Sequence, residues 1–290
     1  VYVFVAKCTF LETGLKQLIY TPVIGVPKEI KPQEYRVGLT THGVYELKKR
    51  GCEVLVESGA GDGIHITDRH YEASGAKIIK SAKEVFELSD IIVKVKEPQP
   101  NECKMLRKGQ TIFTFLHLAP DPEQAKLLVE SGVTAIAYET ITDRFGRLPL
   151  LAPMSEIAGR MSVQAGAHFL EKPKGGMGVL LGGVPGVSSA NVLVLGGGVV
   201  GINAARIAMG MGANVTIIDK SIDRLRELDS LYGPELKTLY YSQSAIEEHV
   251  SNADLVIGAV LVPGASAPKL ISKQMLSSMK RGSVIVDVAI

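Results

Sequence analysis

Between Asn191 and Asp219 the chain reads NVLVLGGGVVGINAARIAMGMGANVTIID, and few folds accept that order of residues. Val192 to Leu195 has the composition of a buried strand, and Gly196-Gly197-Gly198 turns the chain. A helical pattern follows from Val199 to about Met209, then a second apolar run, Val215 to Ile218, ending in Asp219. This is Gly-x-Gly-x-x-Gly (Gly196, Gly198, Gly201) between a strand and a helix, with an acid about 20 residues on. Gly196 permits the tight turn, Gly198 lets the backbone approach a pyrophosphate, and Gly201 lets helix and strand pack closely. The helix N-terminus offers free N–H groups and a partial positive charge to phosphates. Asp219 stands where a carboxylate accepts hydrogen bonds from ribose hydroxyls. A glycine triplet alone is often only a turn. Strand, spacing, helix and distal acid together specify a dinucleotide site.

Strand and helix patterns alternate from Val23 onward, the signature of an α/β chain built on parallel sheets. With 290 residues there is room for two domains. The first is expected over residues 23–150, as a βαβ domain. Its strands include Ile91 to Lys96, stopped by Glu97-Pro98, and Thr111 to His117, and Gly109 is expected to end the helix between them. Asp121-Pro122 is a good N-cap and first-turn pair for a helix to Ser131. Residues 151–290 are expected to hold a connector helix, Pro153 to Glu171, and a doubly wound Rossmann sheet in strand order 3-2-1-4-5. On the connector, Ile157, Met161, Ala165, His168 and Phe169 are expected to share a face. Gly175 to Gly186 reads as a loop flanking a short strand, without the Lys-Ser/Thr of a P-loop. Ligands of such sheets sit beyond the carboxyl ends of the strands, which places a nicotinamide beyond Val260 and Ile290.

Composition narrows the function. Hydrophobic residues make up 46% and charged ones 21%, and a net charge of +2 is spread along the chain, so nothing points to nucleic acid or an anionic membrane. Three cysteines without a C-x-x-C pair fit a reducing cytoplasm better than a disulfide framework. No metal is expected from the six histidines, which lack an H-E-x-x-H pattern. No apolar run approaches the ~18 residues of a membrane span. Residues 1–22 fit neither a secretory signal nor a transit peptide and read as an extension of unknown role.

Three side chains of the first domain suit chemistry beside a nicotinamide. Arg36, after Glu34-Tyr35, lies in a loop where a guanidinium can clamp a carboxylate, although a solvated surface arginine is the commoner fate. Lys94 and Lys96 are expected on one face of an otherwise apolar strand, with Lys96 at its carboxyl end. His117 ends the apolar TIFTFLH, and from position alone it reads as a satisfied core residue. A lysine and a histidine at neighbouring strand ends make a better constellation than either alone.

The blocks GVPKEIKPQEYRVGLTTHGV, VKVKEP, FTFLHLA, GVTAIAYET, PLLAPMSEIAGRMSVQAGA, LGGGVVGINAAR and DLVIGAVLVPGA resemble alanine dehydrogenase, nearly continuously from Ile24 to Ile290. The resemblance implies reversible oxidative deamination, in which L-alanine, NAD and water give pyruvate, ammonium and NADH. It implies Arg36 and Lys96 as substrate-binding residues, with Lys96 and His117 catalytic and His117 moving protons. Ser155, Gly196, Gly198, Val199, Val200, Gly201, Asp219, Arg224, Val260 and Leu261 are then cofactor contacts, and the assembly a homohexamer. The NAD-binding subunit of proton-translocating transhydrogenase resembles the chain in GVPKE and the glycine turn, but MSEIAGRMSVQAG and the FTFLHLA histidine fit it less well. A nucleotide-binding protein without catalysis is a third possibility. Asp219 implies NAD over NADP, with Lys220 and Arg224 nearby acting against that preference. After VDVAI the family continues with Asp-Gln-Gly-Gly and returns to the first domain. The polypeptide as written is therefore expected to bind NAD(H) weakly and to turn over little or no alanine, whereas the parent protein is expected to be the full enzyme.

Overall fold

The computed structural model describes residues 21–260 and 269–289. Most of the expected N-terminal extension, Leu261 and Ile290 thus lie outside the described residues. Two compact units are present, one ending at Ala137 and the next beginning at Tyr138, so Leu150 falls within the second.

The first unit is a parallel sheet of β1 (Val23–Val26), β2 (Glu53–Glu57), β3 (Lys77–Ile79), β4 (Ile91–Val93), β5 (Thr111–Thr114) and β6 (Thr134–Ala137). The strand order is β3-β2-β1-β4-β5-β6. Helices α1 (Thr41–Lys49), α2 (Asp68–Ala73), α3 (Ala82–Leu88), α4 (Pro100–Cys103) and α5 (Pro122–Ser131) connect the strands. A sheet buried on both faces needs near-continuous apolar strands. Val26, Val54 and Val56 accordingly pack with Val44 and Tyr71, while Ile92 and Ile112 pack with Phe86 and Leu128. The chain runs outward from β1 to β3, then returns to β4 and runs outward the other way. The switch point therefore lies between β1 and β4. Asp121 caps α5 as expected, accepting from the Gln124 amide at 3.0 Å.

Two strands stop short of their expected ends. β4 ends at Val93; beyond it the Val95 amide donates to the Glu29 carboxylate at 2.6 Å, while the Val95 carbonyl still accepts from the Phe115 amide at 3.2 Å. Lys94 and Lys96 therefore share no strand face: Lys94 is buried, and Lys96 lies half-buried in the loop beyond. β5 ends at Thr114, and His117 adopts a left-handed backbone with φ 48°. Gly109 does not end α4, which stops at Cys103; it closes a later turn with φ 84°, a conformation that favours glycine.

The second unit carries β7 (Asn191–Leu195), β8 (Asn214–Asp219), β9 (Leu236–Tyr240), β10 (Leu255–Gly258) and β11 (Val284–Asp287). Their parallel order, β11-β10-β7-β8-β9, is the expected Rossmann arrangement with its switch point between β7 and β10. α6 (Ala152–Phe169) precedes the sheet, and α7 (Val199–Gly210), α8 (Ile222–Tyr232), α9 (Gln243–Asn252) and α10 (Lys273–Ser278) connect its strands.

The face of α6 that packs within this unit is not the one that carries the large apolar residues. Ile157, Met161 and Phe169 are each more than half exposed, whereas Gly159, Ser162, Val163 and Gly166 are buried. The reason is close approach: a Cβ on Gly159 would overlap the Val200 carbonyl oxygen of α7, and one on Gly166 would press on Leu255. Small residues, not large apolar ones, make this contact. Within Gly175 to Gly186 no strand forms; one isolated bridge, Val184 to Val187, closes a turn. Among the described residues no helix is long and apolar enough to cross a membrane, and no group of three or more His, Cys, Asp or Glu could hold a metal ion.

Candidate functional site

In the second unit a cavity of about 660 Å³ opens where β7, β8 and β10 end. That volume is in the range of small-molecule and cofactor sites, roughly 300–1,000 Å³. Ser155, Gly196, Gly198, Val199, Val200, Asp219 and Val260 all line it. Gly198 faces open space, with nothing within 4 Å of a Cβ built on it. Gly201 sits behind, where any Cβ would overlap the Gly196 carbonyl oxygen. One glycine leaves room for a ligand, the other for the chain itself.

Asp219, the last residue of β8, holds the turn by accepting from the Gly197 amide at 2.6 Å and the Ser221 amide at 2.7 Å. Each carboxylate oxygen keeps a lone pair for a ribose hydroxyl. Arg224 is not among the residues that line the cavity. Its Nε donates to the Gly197 carbonyl at 2.6 Å and its guanidinium pairs with Glu227 at 2.6 Å, so it braces the glycine turn. Leu261 lies outside the described residues. Open space at Gly198, the free helix N-terminus and the Asp219 acceptors fit a dinucleotide.

Sequence reasoning missed the opposite wall, where Arg147, Leu148 and Leu151 line the cavity. Asp143 organises that segment, its Oδ1 accepting from the amides of Phe145 at 2.8 Å and Arg147 at 2.9 Å. Asp-Arg-Phe-Gly was the available signal, an aspartate-led turn.

In the first unit, Arg36, Lys96 and His117 follow the carboxyl ends of β1, β4 and β5, three adjacent strands around the switch point. Glu34, which the sequence reading passed over, grips Arg36: Nε donates at 2.8 Å to one carboxylate oxygen and Nη2 at 2.6 Å to the other. That guanidinium, hydrogen-bonded beside it, holds the Glu34 carboxyl below the usual carboxylate range. The Lys96 ammonium adds to the effect, which places it near the same carboxylate. The Lys96 carbonyl accepts from Thr114 at 2.8 Å, but its ammonium makes no hydrogen bond or ion pair among the described residues. His117 is exposed rather than a core residue, its ring stacked on Phe115 at 5.9 Å between centroids. A non-glycine residue held in the left-handed region is often a functional one.

Family models described as alanine dehydrogenase/PNT, N-terminal domain, and alanine dehydrogenase/PNT, C-terminal domain, match residues 25–158 and 162–290. The chain is 57% identical over 267 residues to the alanine dehydrogenase of Halomonas elongata, covering 92% of this chain and 72% of the relative. Against the alanine dehydrogenase of Bacillus subtilis it is 56% identical over 269 residues, covering 92% and 70%. A solved L-alanine dehydrogenase superposes with a TM-score of 0.88 at 51% identity, over 92% of this chain and 74% of that one. A transhydrogenase from Sinorhizobium meliloti superposes with 0.78 at 29%, over 91% and 77%. With both models matched along almost its whole length, the chain belongs to the alanine dehydrogenase/PNT family.

Proposed function

We propose that the protein to which this sequence belongs catalyses the NAD-dependent, reversible oxidative deamination of L-alanine to pyruvate and ammonium. The observation that carries this reading is the grouping of Arg36, Lys96 and His117 on the carboxyl ends of three adjacent strands at a switch point, where open α/β sheets bind ligands. Alanine dehydrogenases more than half identical to the chain support it.

NAD, when bound, supplies the hydride acceptor. The chain's own residues do the rest. Arg36, with one edge of its guanidinium held by Glu34, is oriented by that pair for a substrate carboxylate. The Lys96 ammonium stabilises charge on the substrate oxygen as water adds to the imine carbon. An imidazole can both accept and donate a proton, which suits His117 to the proton transfers of hydration and ammonia release. Asp219, Ser155 and the glycine turn hold the cofactor in the other unit.

In the test, His117→Ala lowers pyruvate amination by about 10²–10⁴-fold. NADH titrates the variant as it does the parent, because its contacts lie in the second unit. Near-normal activity would remove His117 from the mechanism. NADH binding without any pyruvate- and ammonium-dependent oxidation in the full-length protein would favour the transhydrogenase reading instead. A cytoplasmic homohexamer belongs to the same proposal, and its mass in solution checks the assembly.

A further inference from the structure

Lys94 has no part in the chemistry above, yet it is one of the most deeply buried side chains. Its ammonium contacts Glu29 at 3.1 Å and Glu102 at 2.8 Å, with the lysine side chain 0% exposed and each carboxylate 2%. Burying an ion cluster costs several kcal/mol per ion in desolvation, and apolar replacements of similar shape are often as stable. Stability alone therefore does not account for three buried charges. What they hold does. Glu29 spends its other oxygen on the Val95 amide at 2.6 Å, and Glu102 spends its other oxygen on the Gln99 amide at 2.8 Å. Lys96 lies between those two amides, with its own carbonyl taken by buried Thr114.

We infer that Lys94, Glu29 and Glu102 form a positioning bracket for Lys96, one buried ammonium joining two carboxylates that fix the backbone on either side of the substrate-binding lysine. The bracket thereby holds the backbone at Val95 and Gln99, Thr114 holds the Lys96 carbonyl between them, and the Lys96 ammonium is left to a ligand. A side chain that must meet a reacting atom to within a fraction of an ångström needs such support from packed neighbours. The bracket also reaches Arg36. Glu29 lies on the loop leading from β1 to that arginine, and Gly38 beyond it packs so closely on the Val93 carbonyl that a Cβ would stand 2.5 Å away. Lys31 of the same loop pairs with Glu97, next to Lys96. The loops carrying both substrate residues are held against each other.

The inference rests on the assignment of Lys96 to substrate binding, so the test reads the bracket and the substrate separately. Lys94→Met and Glu102→Gln are made in the full chain. Amide hydrogen exchange over residues 94–103, the KM for pyruvate and the NADH dissociation constant are measured for each. In Lys94→Met the Val95 and Gln99 amides exchange at least about tenfold faster while β1 and β5 do not change. The KM for pyruvate rises about tenfold or more and the NADH constant stays within about twofold. Glu102→Gln, which keeps an acceptor for Gln99, gives a smaller shift of the same kind, and it carries the test if Lys94→Met does not fold. A folded variant whose residues 95–99 exchange as in the parent overturns the bracket, and so does faster exchange with an unmoved KM. Absence of pyruvate-dependent turnover in the unsubstituted full-length protein refutes the substrate assignment instead, and the exchange measurements still decide whether the bracket exists.

Discussion

Two glycines of one motif should fail in opposite ways. A Cβ at Gly198 meets nothing within 4 Å, and its φ of −69° and ψ of −164° are open to any residue. Gly198→Ala gains about 0.4–1 kcal/mol by restricting the unfolded chain. It loses a similar amount because alanine is a poorer N-cap for α7. Stability should therefore stay within about 0.5 kcal/mol of the parent, too small a change to move the midpoint by more than about 2 °C. The new methyl group, however, stands where a pyrophosphate must approach the helix N-terminus, and NADH affinity should fall tenfold or more, about 1.4 kcal/mol. Gly201→Ala is the converse. Its Cβ overlaps the Gly196 carbonyl oxygen, so the strand-to-helix turn must open. Overpacking of this kind costs about 1–3 kcal/mol, and at about 2–4 °C per kcal/mol for a unit this size Tm falls by roughly 2–12 °C. Circular dichroism melts and NADH fluorescence titrations read the two quantities separately. Gly198→Ala binding NADH like the parent, or Gly201→Ala melting at the parental temperature, would refute the division of labour.

The Asp219 carboxylate, already braced by two amides, should repel a 2′-phosphate, while Arg224 is committed to Gly197 and Glu227 and leaves Lys220 as the nearby counterweight. NADH should therefore bind more tightly than NADPH in direct titration, and equal or reversed affinities would sink the assignment. Glu34→Gln should cost about 1 kcal/mol at pH 7, reduced from the range for charged hydrogen bonds because the Arg36 side chain is 42% exposed. The folded-state pKa of Glu34 is lowered, so its contribution is present above its ordinary value of 4.5 and lost as pH falls below it. The Tm gap between parent and variant should close on acidification, and a gap constant from pH 7 to pH 3 would contradict the Arg36–Glu34 pairing.

Local patterns carried the strands and helices, because a strand buried on both faces must be written in continuous apolar residues and helices in period and caps. Switch-point topology also followed from alternation alone, as in β7 to β11. Strand ends were less legible. Nothing local shows that Glu29 will take the Val95 amide, just past the end of β4, from 66 positions away. Lys94 misled for the same reason, since its partners come from other segments. On α6 the large apolar residues drew attention to the wrong face, because pattern reading weighs side chains and Gly159 contributes by lacking one. Arg36, Lys96 and His117 stood out by position and chemistry, but their roles came from the resemblance; position alone would have left the histidine in the core.

The seam between α6 and α7 reverses the usual relation between size and constraint. Where a helix packs through large side chains, drift is absorbed by trading one shape for another. At Gly159 there is no shape to trade, because the neighbour is the carbonyl oxygen of Val200 and main chain cannot be substituted. Tolerance along α6 should run against hydrophobicity, with Gly159, Ser162 and Gly166 nearly frozen while bulky Ile157 and Met161 vary freely as far as this unit is concerned. Homologues can then diverge on the outer face of the helix without disturbing the glycine turn beneath it, which decouples what the helix shows its surroundings from what it does for the cofactor site.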